Sequence, residues 1–242
     1  MKNSNKKIGA YIIINGADGG GKTTQEKRLL EKYPQWKVIK EPGGTVLGEI
    51  IRSILLDEES IQAKIEKLNS CFPHINKDVS IAMMWYRAKK ELVAEGLSPK
   101  AEVYLYALSR LWSTRQIKNW VEEGHVVIAT RSVACSFAYQ GAGRKLGMDL
   151  IHTVNGESMG LICPTAEIFL SVPVEVGKER TDIRGEENRF DKESTEFFAR
   201  VLDGYMSYYQ NYANHPVHVV DANRKLEDVG QEIEEILGKY LQ

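Results

Sequence analysis

Gly16-Ala17-Asp18-Gly19-Gly20-Gly21-Lys22-Thr23 directly follows an apolar run, Ile8 to Ile14, and precedes a helical stretch, Thr24 to Tyr33. The segment fits G-x-x-x-x-G-K-[ST], and the required residues have a chemical reason. Glycines let the backbone curl so that successive N–H groups point into one concavity and grip phosphate oxygens. The helix that starts near Lys22 adds its positive N-terminal end. Lys22 can reach the β- and γ-phosphates of a bound nucleotide, and the Thr23 hydroxyl can ligate Mg²⁺. A bare glycine-rich turn would not need a strand before it and a helix after it, so the context favours a nucleotide-binding loop, Gly16 to Thr24.

Outward from this loop, apolar β-rich runs recur at Ile8–Ile14, Trp36–Lys40, His125–Ala129, Ala166–Val172 and Pro216–Val220, with helical patterns between them. Val126–Ala129 and Ile168–Val172 are apolar on successive residues, as in strands covered on both faces. Strands alternating with helices predict an α/β fold with a doubly wound, five-stranded parallel sheet. In the last helix Leu226, Val229, Ile233, Ile236, Leu237 and Tyr240 keep helical spacing. Ligands of such sheets bind where strands end at their carboxyl side. There the sequence places the phosphate loop, Glu41-Pro42-Gly43-Gly44-Thr45, Thr130-Arg131-Ser132 and, after a helix, Arg184-Gly185-Glu186-Glu187-Asn188-Arg189-Phe190. Arginines gathered at one edge suit a ligand with several phosphates.

The 242 residues suffice for one well-buried domain, and nothing in them requires two. With 43% hydrophobic and 27% charged residues the chain reads as globular and soluble. A net charge of −1 argues against a general nucleic-acid or membrane-surface binder. Three scattered cysteines, Cys71, Cys135 and Cys163, lack C-x-x-C spacing and read as reduced thiols. The polar stretch Met1 to Lys7 does not resemble a signal peptide, and no run approaches the ~18 apolar residues of a membrane span. The expectation is a cytoplasmic protein. Cys71-Phe72-Pro73-His74 offers two potential metal ligands without a second pair, too few for a metal site.

The segments after the loop separate kinases from other phosphate-loop proteins. Glu41-Pro42-Gly43-Gly44-Thr45, Leu47-Gly48-Glu49, Arg131 and the run Ser136-Phe137-Ala138-Tyr139-Gln140-Gly141-Ala142-Gly143-Arg144 together resemble the thymidylate kinase family. Arg184-Gly185 with Asn188-Arg189-Phe190 resembles that family's lid, at about 184–192. The resemblance covers about residues 8–56 and 98–241. It implies transfer of phosphate from ATP to dTMP, giving dTDP, with Mg²⁺, in a protein that is commonly a homodimer.

The resemblance also implies roles. Lys22 and Thr23 would hold ATP phosphates and metal, and Asp18 would sit near Mg²⁺ or the transferred group. Arg131 would clamp the dTMP phosphate. Tyr106 and Arg110 occupy base-stacking and base-reading positions, and Ser136 would bond the thymine edge. Tyr139 would press on the deoxyribose, Gln140 would help close the nucleoside pocket, and Glu41 with Pro42 would border it. Independently, Glu102, Tyr106 and Arg110 stand at i, i+4 and i+8, on one face of a helix through Tyr104–Val121. By spacing alone, Arg110 could equally be a solvated charge. The loop holds no arginine between Gly16 and Lys22, so the cation that stabilises the transferring group must come from elsewhere. Arg184 and Arg189 are the candidates, with Arg180 behind them.

Three departures from the family pattern each remove a carboxylate near the expected metal. Thr130 stands where an aspartate is usual, Ser109 where Ala-Asp-Arg is frequent, and Asn15 where a glutamate commonly precedes the loop. Two alternatives follow. One is a catalytically weakened relative that binds nucleotide for regulation or assembly. The other is a deoxynucleoside kinase acting on a 5′-hydroxyl, since Thr130-Arg131-Ser132 and Glu41-Pro42 resemble that family's Glu-Arg-Ser and Glu-Pro. Gly43-Gly44-Thr45, the Tyr139–Arg144 run and the Arg-Gly lid favour the thymidylate kinase reading. Residues of about 57–98 read as an inserted, partly helical segment, with Ile81, Met84, Trp85, Ala88 and Leu92 on one stripe.

Overall fold

The structure is a computed structural model that describes residues 9–56, 97–184, 190 and 193–241, with only the backbone of Arg184. Five strands, β1 (Ala10–Gly16), β2 (Lys37–Lys40), β3 (Val126–Thr130), β4 (Ala166–Ser171) and β5 (Val217–Asp221), form one parallel sheet in the order β2-β3-β1-β4-β5. The helices are α1 (Lys22–Lys32), α2 (Val46–Leu55), α3 (Pro99–Glu122), α4 (Val133–Ser136), α5 (Met148–Leu161), α6 (Val174–Arg184), α7 (Thr195–Asn211) and α8 (Leu226–Leu237). A π-helical turn, Phe137–Gly143, continues α4. All five strands stand where the apolar runs predict them. Residues 57–96 of the expected inserted segment and most of the expected lid lie outside the described residues.

Successive side chains of β1 point to opposite faces of the sheet, and both faces are buried. Ile12 and Ile14 pack with Ile128, Ile168 and Leu170 against Leu29 of α1 and Val229, Ile233 and Leu237 of α8. Tyr11 and Ile13 pack with Val127 and Ala129 against Ile117 of α3. That double coverage explains why β1 and β3 read as unbroken apolar runs, whereas the edge strands β2 and β5 are only partly covered and carry polar residues. A third cluster joins Phe137, Tyr139, Val201 and Tyr205 to Phe169 of β4, and so fixes the π-turn against α7.

Helix starts follow capping rules. The Thr45 hydroxyl accepts from the Gly48 amide at 3.0 Å, Ser98 accepts from Ala101 with Pro99 at the first helical position, and Ser194 caps α7. Gly204 is required by close approach. A Cβ there would lie 2.8 Å from the Ala138 Cα and 2.7 Å from the Ala142 Cβ, so α7 can touch the π-turn only through a glycine. With β1 central, the chain leaves it toward β2–β3 on one side and β4–β5 on the other. The loops after the strands converge above this switch, which is where the candidate site lies.

Candidate active site

The phosphate loop joins β1 to α1. Gly21 precedes the helix in a left-handed conformation, φ 83°. Gly19, φ 75°, faces the backbone of Gly177 in α6 so closely that a Cβ would lie 2.2 Å from its carbonyl oxygen. Lys22 Nζ donates to the carbonyl oxygens of Gly16 and Ala17 at 2.9 and 2.7 Å, and lies 3.9 Å from Asp18. Thr23 and Thr24 are exposed on the first turn of α1. Arg180 Nη1 donates to the carbonyls of Gly19 and Ala222 at 3.4 and 3.0 Å, bracing the loop from α6.

Asp18 links the loop to a recess beside it. Its Oδ1 accepts from Arg131 Nη2 at 2.5 Å, and its Oδ2 accepts from the Tyr139 hydroxyl at 3.2 Å. Burial alone would raise the Asp18 pKa, but the Arg131 and Lys22 cations outweigh it and hold the carboxyl well below its ordinary value. Burial also works against the charge on Arg131, and Asp18 reverses the balance so that the guanidinium is held firmly protonated. Arg131 adopts φ 72°, a left-handed backbone rare for a side-chain-bearing residue and concentrated at functional sites. Burial and the Asp18 charge push the Tyr139 phenol well above its ordinary pKa, so it remains a neutral donor.

The recess is lined by Asp18, Glu41, Pro42, Leu56, Tyr106, Arg110, Arg131, Ser132, Cys135, Ser136, Tyr139, Gln140 and Phe190. All the residues that the resemblance assigns to the acceptor pocket are therefore brought together, from three separate stretches of chain, 41–42, 106–110 and 131–140. Tyr106 and Arg110 lie on the buried face of α3 with Glu102, as the spacing predicts. Arg110 is a buried cation and not a solvated one. Its Nε donates to Glu41 Oε2 at 2.8 Å, its Nη1 to Asn155 Oδ1 at 2.5 Å, and its Nη2 to the Ser132 carbonyl and Ser136 Oγ at 3.3 and 3.1 Å. Burial pushes the Glu41 carboxyl above its ordinary pKa, with Arg110 offsetting only part of the shift.

Some partners carry no motif and were not legible in the sequence. Asn155 anchors Arg110 from α5. Phe190, which the sequence shows only as part of the lid motif, packs its ring on Tyr139 at 5.1 Å between centroids, a contact the motif does not announce. Glu26 accepts from Thr130, and Glu167 accepts from Asn15. Of the lid arginines, the Arg184 side chain and Arg189 lie outside the described residues. Ser136, Tyr139 and Gln140 all sit on or beside the π-turn, a distortion that recurs at functional sites.

A strand–loop–helix phosphate cradle, set on this strand order and facing a recess with two buried or half-buried arginines, defines a P-loop α/β protein of the nucleotide-kinase type. The family model described as Thymidylate kinase matches residues 14–80 and 86–233. The thymidylate kinase of Nitrosospira multiformis is 32% identical over 231 residues, covering 93% of this chain and 95% of that protein. The thymidylate kinase of Legionella pneumophila (strain Corby) is 29% identical over 238 residues, 97% and 96% of the two chains, and that of Pediococcus pentosaceus is 29% identical over 240 residues, 96% and 99%. The chain belongs to the thymidylate kinase family. Among its described residues, no helix is long and apolar enough to cross a membrane.

Proposed function

We infer that this protein transfers the terminal phosphoryl group of ATP to dTMP, giving dTDP. Family membership supports the reaction, and one observation carries the residue assignment. Asp18 belongs at once to the phosphate loop and to the wall of the recess that gathers Pro42, Tyr106, Arg110, Arg131, Ser136, Tyr139 and Gln140. Donor loop and acceptor pocket thus share a boundary, as in-line transfer between two bound nucleotides requires.

In this reading the loop amides and Lys22 hold the ATP phosphates. Arg131 moves from Asp18 onto the acceptor phosphate, whose oxygen is already ionised and needs no strong base. Tyr106 stacks on the base, Arg110 and Ser136 read its edge, Tyr139 abuts the deoxyribose, and Gln140 closes the pocket with Glu41 and Pro42 at its border. Arg184 and Arg189 would supply the lid cations. The donor set fits Mg²⁺, a hard ion that takes one or two carboxylates plus substrate phosphates. Asp18 is an ionised carboxylate and Thr23 an exposed hydroxyl oxygen, and among the described residues no cluster of three acidic, His or Cys side chains forms a cage of its own. When bound, Mg²⁺ neutralises charge on the phosphates.

The whole chain is read as one domain, with about 57–98 inserted in it. Cys135 and Cys163 are free thiols, which supports a reducing, cytoplasmic setting. The exposed stripe Tyr104, Leu108 and Trp112 on α3 supports a homodimer. The deciding experiment is ADP release from Mg·ATP with dTMP, dUMP, dCMP, dGMP, ribo-TMP and thymidine as acceptors. Preference for dTMP is expected. Preference for thymidine would shift the reading to a nucleoside kinase, although Glu41, its needed base, is held by Arg110. No turnover by folded, ATP-binding protein would leave the weakened, nucleotide-binding relative.

A further inference from the structure

Phosphate-loop proteins hold Mg²⁺ with the loop Ser or Thr and with a carboxylate at a neighbouring strand end. Here the neighbouring strand, β3, ends in Thr130, paired with Ile14 two residues before the loop. Thr130 Oγ1 donates to Glu26 Oε2 at 2.9 Å. Glu26 reaches back from α1, one turn beyond Thr23, and its other oxygen forms an ion pair with Lys40 Nζ at 3.2 Å. Glu26 is 3% exposed and Thr130 6%. A hydroxyl has one proton, and this one is committed to Glu26. The remaining lone pairs make Thr130 an acceptor only. An acceptor suits water carried by a cation and does not suit a phosphate oxygen.

We propose that Glu26, acting through Thr130, is a positioning carboxylate for the nucleotide's Mg²⁺, with the negative charge displaced from the end of β3 onto α1. This deepens the phosphoryl-transfer reading and rests on it. The competing role is structural: Glu26 could serve only to anchor Lys40 and hence β2.

The test is Mn²⁺ binding to the ADP-loaded protein, followed by electron paramagnetic resonance of the free ion, alongside ADP affinity in EDTA. Glu26→Gln and Thr130→Val should each weaken Mn²⁺ about 10- to 100-fold, the usual effect of removing an outer partner of a metal site. Their ADP affinity in EDTA should not change. Glu26→Gln/Thr130→Asp should regain most of the loss, and Lys40→Ala should not weaken Mn²⁺. Wild-type Mn²⁺ affinity in Glu26→Gln, an equal loss in EDTA, no recovery with Thr130→Asp, or a loss reproduced by Lys40→Ala would each overturn the proposal. Should Glu26→Gln not fold, the near-isosteric Thr130→Val carries the same comparison. Wild-type protein that takes up no ADP would refute the kinase reading as well. Variants that match a competent wild type would remove this inference alone.

Discussion

Replacing Arg110 with Met tests whether the recess rests on a buried charge network. Arg110 is 5% exposed and Glu41 4%, and the guanidinium donates to four acceptors, two of them at 2.8 Å or less. Methionine keeps most of the side chain's length and removes the charge. Breaking one half of a buried ion pair costs about 3–5 kcal/mol, because the remaining charge has lost its partner. Against a total stability of about 5–15 kcal/mol, such a loss is large. The pH dependence follows from the sign of the Glu41 shift. Its folded pKa is already raised by burial, and without Arg110 it rises further. A carboxyl whose folded pKa exceeds its unfolded value stabilises the fold below the unfolded pKa, and that contribution disappears as pH climbs through the folded pKa. The penalty of Arg110→Met should therefore be smaller near about pH 5 than near about pH 8. Urea unfolding followed by tryptophan fluorescence at both values measures it. Adding Glu41→Gln should return about 0.5–3 kcal/mol, the coupling usual for residues in contact. A penalty under about 1 kcal/mol near pH 8 would refute the buried-pair argument, and so would a penalty independent of pH.

Lys22→Ala and Arg131→Ala should each lower turnover of dTMP about 100- to 1,000-fold, as for loss of one donor to transition-state charge; near-wild-type rates in a coupled ADP assay would overturn the assignments. Gly204→Ala should destabilise the fold by about 1–3 kcal/mol, since the added methyl meets Ala138 and Ala142, and thermal unfolding would register it. Asp18 has a lowered pKa, so its pairing stabilises the fold above the ordinary carboxylate value of 3.8 and is lost as pH falls below it. Asp18→Asn should accordingly show a shallower acid limb than wild type, and an unchanged limb would contradict the pairing. Trp112→Asp on the exposed stripe of α3 should split a homodimer into folded monomers, seen by sedimentation with the far-UV circular dichroism unchanged; a wild-type protein that sediments as a monomer would refute the dimer itself.

The fold was legible because burial on both sheet faces leaves a strong local signature. Tyr11 through Ile14 read as apolar without interruption, since alternate residues serve different cores. The loop was legible because its demands are backbone demands, and glycines show them directly. The recess was legible only in part. Its membership followed from family resemblance, and the spacing of Glu102, Tyr106 and Arg110 supplied a face but not its environment. The left-handed backbone of Arg131 has no compositional mark, and Asn155 is one asparagine in an ordinary helical stretch. Such partners are fixed by the tertiary arrangement of α3, α5 and the π-turn, which no local pattern encodes.

The missing carboxylates illustrate the same limit most clearly. Read by position, Thr130 and Asn15 each remove a negative charge beside the loop. In space, each neutral side chain donates to a buried carboxylate on another element: Thr130 to Glu26 on α1 at 2.9 Å, and Asn15 Nδ2 to Glu167 on β4 at 2.6 Å. Glu167 is further held by the Tyr209 hydroxyl at 2.7 Å and meets His215 Nε2 at 2.9 Å. Burying an unpaired charge is far costlier than burying a bonded one, so a displaced carboxylate persists only where donors such as these surround it. Ser109 does not follow the pattern: its hydroxyl is buried with no hydrogen-bond partner among the described residues. The three departures are therefore unequal. Two exchange the element that carries a carboxylate, and one leaves a polar atom unsatisfied, a difference that appears only when the partner across the fold is known.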